Sequence, residues 1–201
     1  MSDFIHHYEG GGTERPPLLL LHGTGGDEHD LVPLGRTLAP GAALLSPRGK
    51  VLENGMPRFF RRFGEGRFDV EDIKLRAAEL ATFVEEARER YGIAQPIALG
   101  FSNGANIAAA MLLLAPKALA GAVLLRAMTP LAPDVLPDLT GKPVLMLSGS
   151  ADPIIPADDA ARLAGLLREA GAKVQHEVLP AGHGLTQADI NLSARWLAEA
   201  G

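Results

Sequence analysis

The chain contains no cysteine. That absence removes disulfides, thiolate metal sites and cysteine nucleophiles together, so any covalent chemistry must use another side chain. A surplus of positive charge is also missing: 19 Lys and Arg stand against 24 Asp and Glu, for a formal net charge of −5. Nucleic acids and anionic membranes both reward cationic proteins, so neither is an expected partner. No stretch approaches the roughly 18 consecutive apolar residues that a membrane span needs. The start, MSDFIHHYEGGG, has neither a basic segment nor the apolar core of a secretory signal. The expectation is a cytoplasmic protein without membrane insertion. His6, His7, His29 and His176 show no ligand spacing such as His-Glu-x-x-His, and no metal or other cofactor is expected.

What is present is ordinary for a globular chain. The 201 residues, 47% apolar and 21% charged, suffice for one domain with a sizeable core, expected to span residues 1–201. Apolar runs of strand length alternate with longer runs of helical period, the pattern of helices crossing over between parallel strands. The expected strands are Leu18–His22, Ala43–Ser46, Pro96–Phe101, Gly121–Leu125, Pro143–Ser148 and Val174–Leu179. Most lack polar alternation, as strands covered on both faces do. Phe4–Tyr8 would add an edge strand. Glu71–Tyr91 repeats Ile73, Ala77, Leu80, Val84 and Ala87 at steps of three and four, predicting a helix on the outside of the sheet. Asn103–Leu114 is apolar almost all round and predicts a buried helix. Pro156–Ala170, ending at Gly171, and a helix opened by a capping-box-like Thr186-Gln187-Ala188-Asp189 complete the set. Thr129–Pro143 reads as a long loop within the domain.

The chemistry gathers where strand gives way to helix, at Gly100-Phe101-Ser102-Asn103-Gly104. Gly-x-Ser-x-Gly in a strand–turn–helix setting is a nucleophile elbow, in which glycines permit close approach of strand and helix and the serine hydroxyl projects above the sheet edge. A serine hydroxyl is nearly unreactive at neutral pH, so a base and a group to orient it are required. Asp152 follows the strand Pro143–Ser148, and His183 follows Val174–Leu179. In a parallel sheet such strand ends meet along one rim, so Ser102, Asp152 and His183 are the candidate catalytic residues. Taken singly, an aspartate in a loop is usually a turn former and a histidine beside glycines a loop residue; order and position together single these two out. An oxyanion would need two amide donors. The Asn103 N–H follows the nucleophile directly, and the glycine-rich LLLLHGTGGDEHD supplies Thr24, with Gly25 second. His22 reads as a residue that holds this loop. The same glycines lack both the Lys-Ser/Thr ending of a P-loop and Gly-x-Gly-x-x-Gly, which argues against a phosphate cradle.

NGMPRFFRRFGEGRFDVED concentrates Arg58, Arg61, Arg62 and Arg67 among phenylalanines, yet Glu65, Asp69, Glu71 and Asp72 offset the charge. A solvated loop with local ion pairs is expected, with phenylalanines turned toward the substrate cleft. Arg126 would either bind a substrate carboxylate or pair with a loop acid, the second being favoured. Gly25, Phe59, Phe60, Arg126 and Met128 are the candidate substrate contacts.

HGTGGDEHDLVPL, GFSNGANIA, SADPIIP and AGHGLT together resemble the α/β-hydrolase superfamily, and more closely its small phospholipase/carboxylesterase branch, which includes acyl-protein thioesterases and MhqD-like bacterial hydrolases. SPRGKVLENGMPRFFRR resembles the MhqD-like group. The resemblance runs from about Leu18 to Trp196. It implies an α/β-hydrolase fold with a mostly parallel sheet of six to seven strands and helices on both faces. The insertions beyond the basic sheet are short and leave little room for a separate lid domain, so an open cleft and small or short-chain acyl groups are expected. The resemblance also implies a serine hydrolase acting on small-molecule carboxylic esters without a cofactor, and a homodimer as one form of assembly. Ser102, Asp152 and His183 match the branch's triad, and Thr24 and Asn103 its oxyanion hole. Thioesterases of the branch commonly carry Gln after the serine and Leu after His-Gly; Asn103 and Thr24 occupy those positions here, which points away from thioesters. Dienelactone hydrolases are of similar size but use the cysteine this chain lacks. A thioesterase or lysophospholipase-type activity, and a noncatalytic ligand-binding protein on the same fold, are the alternatives.

Overall fold

The structure, a computed structural model, describes residues 4–199; the first three and last two residues of the expected domain lie outside the described residues. In chain order the elements are β1 (His6–Glu9), β2 (Leu18–Leu21), α1 (Val32–Leu38), β3 (Leu44–Pro47), β4 (Val51–Glu53), β5 (Met56–Arg58), β6 (Arg62–Gly64) and β7 (Arg67–Phe68). They continue with α2 (Val70–Tyr91), β8 (Ile97–Phe101), α3 (Asn103–Leu114), β9 (Gly121–Leu125), β10 (Pro143–Gly149), α4 (Ala157–Glu169), β11 (Lys173–Leu179) and α5 (Gln187–Glu199). No described helix is long and apolar enough to cross a membrane.

Seven strands form one sheet in the order β1-β3-β2-β8-β9-β10-β11. Only β1 runs antiparallel to its neighbour. Successive strand side chains point to opposite faces, and the apolar runs therefore feed two cores. Leu19, Leu21, Ala98, Leu124 and Met146 join residues of α2, α3 and α4. Leu18, Leu20, Leu99, Val123 and Leu147 join residues of α1 and α5 on the other face. A strand such as LLLL is buried throughout because both faces are covered.

The helices form for identifiable local reasons. The Asp69 side chain caps α2 by accepting the Asp72 N–H, and Gly92 ends that helix at φ 64°. Helix α3 is buried from Asn103 to Leu113, and its alanines let it lie against the sheet beneath α2. Two glycines make this approach possible. A Cβ on Gly104 would stand 1.9 Å from the Leu21 carbonyl oxygen, and one on Gly100 would stand 2.5 Å from the Gly104 carbonyl oxygen.

The expected strands all form, with ends shifted by a residue or two, and β9 and α3 keep their expected bounds. The edge strand begins at His6 rather than Phe4, whose ring turns inward onto Phe83. Three features were not expected. Helix α1 is only seven residues long, too short to display a period. Much of the stretch 54–72, expected as a loop, joins residues 51–53 in two hairpins, β4–β5 and β6–β7. Between β4 and β5 stand Asn54 and Gly55, both at positive φ (52° and 80°), a two-residue hairpin turn that the Asn-Gly pair signals.

Gly104→Ala is expected to lower stability by at least about 3 kcal/mol, because the added methyl meets backbone rather than a flexible side chain. At this chain length that corresponds to a fall of roughly 10 °C in Tm. Gly165→Ala, in α4 with open space around its missing Cβ, is expected to be neutral or stabilising by up to about 1 kcal/mol. Thermal unfolding of the two variants checks the pair; equal Tm values would contradict the packing argument.

Candidate active site

The turn from β8 into α3 holds Ser102 at φ 52° and ψ −113°. This is a backbone conformation that non-glycine residues rarely adopt and that costs on the order of 1–3 kcal/mol. Hydrogen bonds hold it on both sides. The Ser102 N–H donates to the Leu125 carbonyl at 2.9 Å, and the Ser102 carbonyl accepts from the Asn106 N–H at 3.0 Å. The hydroxyl is thereby set at the carboxyl end of the sheet.

The loops after β10 and β11 meet it there. His183 Nε2 lies 3.0 Å from Ser102 Oγ, and His183 Nδ1 lies 2.8 Å from Asp152 Oδ2. A carboxylate only accepts hydrogen bonds, so in the neutral imidazole Nδ1 carries the proton and Nε2 is free to accept from the serine. The Asp152 side chain is fully buried, whereas that of His183 keeps 21% of its surface exposed. Asp152 Oδ1 accepts the amides of Ile154 (2.8 Å) and Ile155 (3.1 Å), which fixes the carboxylate before the histidine uses its other oxygen. The two loops are also tied to each other, by Ala151 N–H to the Ala181 carbonyl at 3.0 Å. Gly149 permits this, since its Cβ would sit within 2.5 Å of the Ala181 and Gly182 carbonyl oxygens.

Of the two expected amide donors near Ser102, that of Asn103 opens α3, where the helix dipole favours negative charge. In the loop after β2 the Gly25 N–H is already engaged by the Pro57 carbonyl at 3.0 Å. Thr24, whose N–H has no hydrogen-bond partner among the described residues, is therefore the available donor. Gly25, at φ 87°, lies beside Met56. His22 holds the loop: its Nδ1 donates to the Gly23 carbonyl at 2.7 Å and its Nε2 accepts the Gly49 N–H at 2.9 Å. Burial pushes its pKa down, in keeping with a neutral ring.

Three of the expected substrate contacts sit elsewhere. Phe59 and Phe60 are buried, at 3% and 0% exposure. The Phe59 ring packs on His22 and the Phe60 ring against Phe68, so both point into the core instead of the cleft. Arg126 is likewise fully buried, with φ 56°. It pairs with Asp189 through two hydrogen bonds of 2.7 and 2.9 Å. Its remaining donors serve the carbonyls of Gly182 (2.9 Å), Gly184 (3.1 Å) and Leu147 (3.1 Å). The acid is supplied by the first turn of α5. Arg126 thus carries the loop on either side of His183 and has nothing left to offer a substrate. The Thr186 N–H and hydroxyl also donate to Asp189 Oδ2, so the capping-box acid doubles as the partner of a buried guanidinium. No sequence signal paired these two residues 63 positions apart.

Met128 is buried with Ile155 and Ala160 and borders a recess of about 480 Å³ that Gly66, Pro156 and Asp159 also line. Another recess, of about 570 Å³, lies between β1 and α2 near His6, Phe83 and Tyr91 and shares no residue with the serine, histidine and aspartate. The convergence of reactive side chains, rather than cavity size, marks the site. Among the described residues no group of three or more His, Asp or Glu side chains could hold a metal ion.

Comparison with known proteins gives a consistent result. The family profile described as alpha/beta hydrolase fold matches residues 16–140. The MhqD protein of Bacillus subtilis (strain 168), named as a hydrolase, is 46% identical over 197 residues, covering 97% of this chain and 98% of that protein. Among solved structures, a carboxylesterase of Bacillus cereus superposes with a TM-score of 0.96 at 43% identity, over 100% of this chain and 96% of that one. A carboxylesterase of Mesorhizobium loti superposes with a TM-score of 0.90 at 36% identity, over 98% and 97% of the two chains.

The Arg126–Asp189 pair carries a stability cost when broken. Asp189→Ala strands a buried guanidinium and is expected to lower stability by about 3–5 kcal/mol at neutral pH. Burial raises the Asp189 pKa, but hydrogen bonds from Arg126 and Thr186 outweigh that and hold it below the ordinary aspartate value of 3.8. A depressed folded pKa stabilises above the unfolded value and ceases to do so as pH falls through the folded one. The gap between parent and variant should therefore be constant at neutral pH and narrow below about pH 4. Urea unfolding across pH measures it; a gap that widens in acid would contradict the pairing.

Proposed function

The chain belongs to the alpha/beta hydrolase family, and from that premise we propose that it is a serine carboxylesterase working through Ser102, His183 and Asp152. The observation that carries this reading is one imidazole bridging a strained serine at 3.0 Å and a buried carboxylate at 2.8 Å. The carboxylesterases of similar sequence and fold support the same reaction class.

The chemistry follows from the geometry. As Ser102 Oγ attacks an ester carbonyl, its proton passes to His183 Nε2 and Asp152 stabilises the imidazolium through Nδ1–H. The carbonyl oxygen takes up negative charge and is held by the amides of Thr24 and Asn103, already oriented and paying no reorganisation cost during the reaction. Collapse breaks the bond to the alkoxide oxygen, which takes the proton from Nε2 and leaves as alcohol. Water then gives a proton to Nε2 while attacking the acyl-serine, and the acid departs with Ser102 restored. The substrate is a small-molecule ester with a short acyl group. Between the sheet and solvent the described chain offers only two short hairpins and the segment 126–142, without helix or strand, and such material encloses little of a long acyl chain.

Ser102→Ala is expected to reduce kcat/KM on p-nitrophenyl acetate by at least about a thousandfold with an unchanged unfolding midpoint. Asp152→Asn keeps an oxygen for the amides of Ile154 and Ile155 but presents an NH2 group to Nδ1. Nε2 then carries the proton and cannot accept from Ser102, for a loss of roughly 10⁴-fold in kcat. Full activity in either variant contradicts the mechanism. Rates on a series of oxygen esters and matched thioesters, of increasing acyl length, test the substrate; a preference for long acyl chains or for thioesters contradicts that part alone.

A further inference from the structure

We propose that Arg58 is a positioning residue for the oxyanion hole, acting through the side chain of Thr24. The inference rests on the esterase reading above and deepens it. Arg58 ends β5 and is 2% exposed, an unusual setting for a cationic side chain, which is rarely buried unless paired. Its shortest hydrogen bond is not to an acid: Nη1 donates to Thr24 Oγ1 at 2.7 Å, against 3.2 Å to Glu53 Oε2 and 3.2 Å from Nε to the Phe60 carbonyl. Glu53 is in turn held by Arg62 at 2.9 Å, so Arg58 has only a shared claim on that carboxylate.

The residues on either side of Arg58 reach the same hole. The Pro57 carbonyl accepts the Gly25 N–H at 3.0 Å, fixing the peptide that follows Thr24. The Phe59 N–H donates to Asn103 Oδ1 at 2.8 Å, fixing the side chain of the other amide donor. Three consecutive residues, the last two of the first hairpin and the one after it, therefore grip both residues that would hold the oxyanion, and Arg58, in the middle, brings the charge. Its guanidinium locks the Thr24 side chain against the loop, so the Thr24 N–H keeps one direction. One side chain away from the developing negative charge, its positive field acts in the favourable sense. Both contributions grow as the carbonyl becomes an oxyanion, so they bear on kcat more than on KM.

The test uses Arg58→Gln, Thr24→Val, Thr24→Ser and the Arg58→Gln/Thr24→Val double variant. All are assayed on p-nitrophenyl acetate, with rates referred to folded enzyme counted by circular dichroism and active-site titration with a fluorophosphonate. Thr24→Val keeps the main-chain N–H and removes only the oxygen that Arg58 holds. Arg58→Gln and Thr24→Val are each expected to lower kcat about 10- to 100-fold, less than the 10²–10³ lost when an oxyanion donor is itself deleted, with KM within about threefold of the parent. Thr24→Ser, which restores the oxygen, is expected to stay within about threefold of parental kcat. The double variant is expected to lose no more than the worse single one, because the two changes break one interaction. Parental kcat in Thr24→Val, or losses that multiply in the double variant, would overturn the proposal. If Arg58→Gln does not fold, Thr24→Val and Thr24→Ser decide it. Failure here stands apart from failure of the esterase reading: the first leaves Ser102→Ala inactive, the second leaves it active.

Discussion

The first turn of α3 touches the end of β2 backbone to backbone, and Ser102 and the amino end of α3 take their position from that contact. With 1.9 Å between a would-be Cβ on Gly104 and the Leu21 carbonyl oxygen, nothing larger than hydrogen fits at residue 104. The approach brings the amino end of α3 against the end of β2 at Leu21 and His22, so Thr24 and Asn103, 79 positions apart in sequence, stand on adjoining segments. It also leaves the chain between Gly100 and Gly104 too little length for a relaxed turn, which is why Ser102 stands at φ 52°. Strain at that residue is the local cost of a helix seated so close to the sheet.

The remaining parts are held by polar groups buried beneath the rim. Arg126, itself at a strained φ of 56°, places its guanidinium under the His183 loop and is neutralised by Asp189 at the start of α5. Arg58 does the corresponding work under the Thr24 loop. Buried ion pairs contribute little net stability against an apolar replacement, but they offer several directed hydrogen bonds from one rigid group, which apolar packing cannot. A loop that must hold an imidazole to a fraction of an ångström gains more from direction than from adhesion. Precision here comes from two arginines that a substrate never touches, and their burial separates them from the exposed arginines nearby, such as Arg61.

Much of this was legible in the sequence because the strongest patterns coincide with the site. Apolar strands, most of them followed by a loop and an amphipathic or alanine-rich helix, marked out the sheet to within a residue or two, and Ser102, Asp152 and His183 each fall just beyond a strand end. Legibility failed where the determinant was tertiary. Arginine and phenylalanine carry no mark saying which of them is buried, so Phe59 and Phe60 read as cleft residues when the fold turns them inward, and Arg126 stood as a substrate contact beside the favoured reading of a pair with an acid, which Asp189 bears out. Arg58 read as one member of a solvated group, although its neighbours Arg61 and Arg62 do make the surface ion pairs expected of that stretch. The hairpin that carries Arg58 had a local signal in Asn54-Gly55, masked by the charge density around it. Helix α1 had none, with Pro33 and Gly35 inside seven residues.

The account stands on Ser102 being the one hydroxyl whose proton has somewhere to go. Treatment of the folded protein with a fluorophosphonate, followed by peptide mass spectrometry, tests that directly. The predicted result is a single phosphonyl group per chain on the peptide that carries Ser102, appearing in step with the loss of ester hydrolysis. Label on another residue, or a protein that stays unlabelled while it continues to hydrolyse esters, would contradict it.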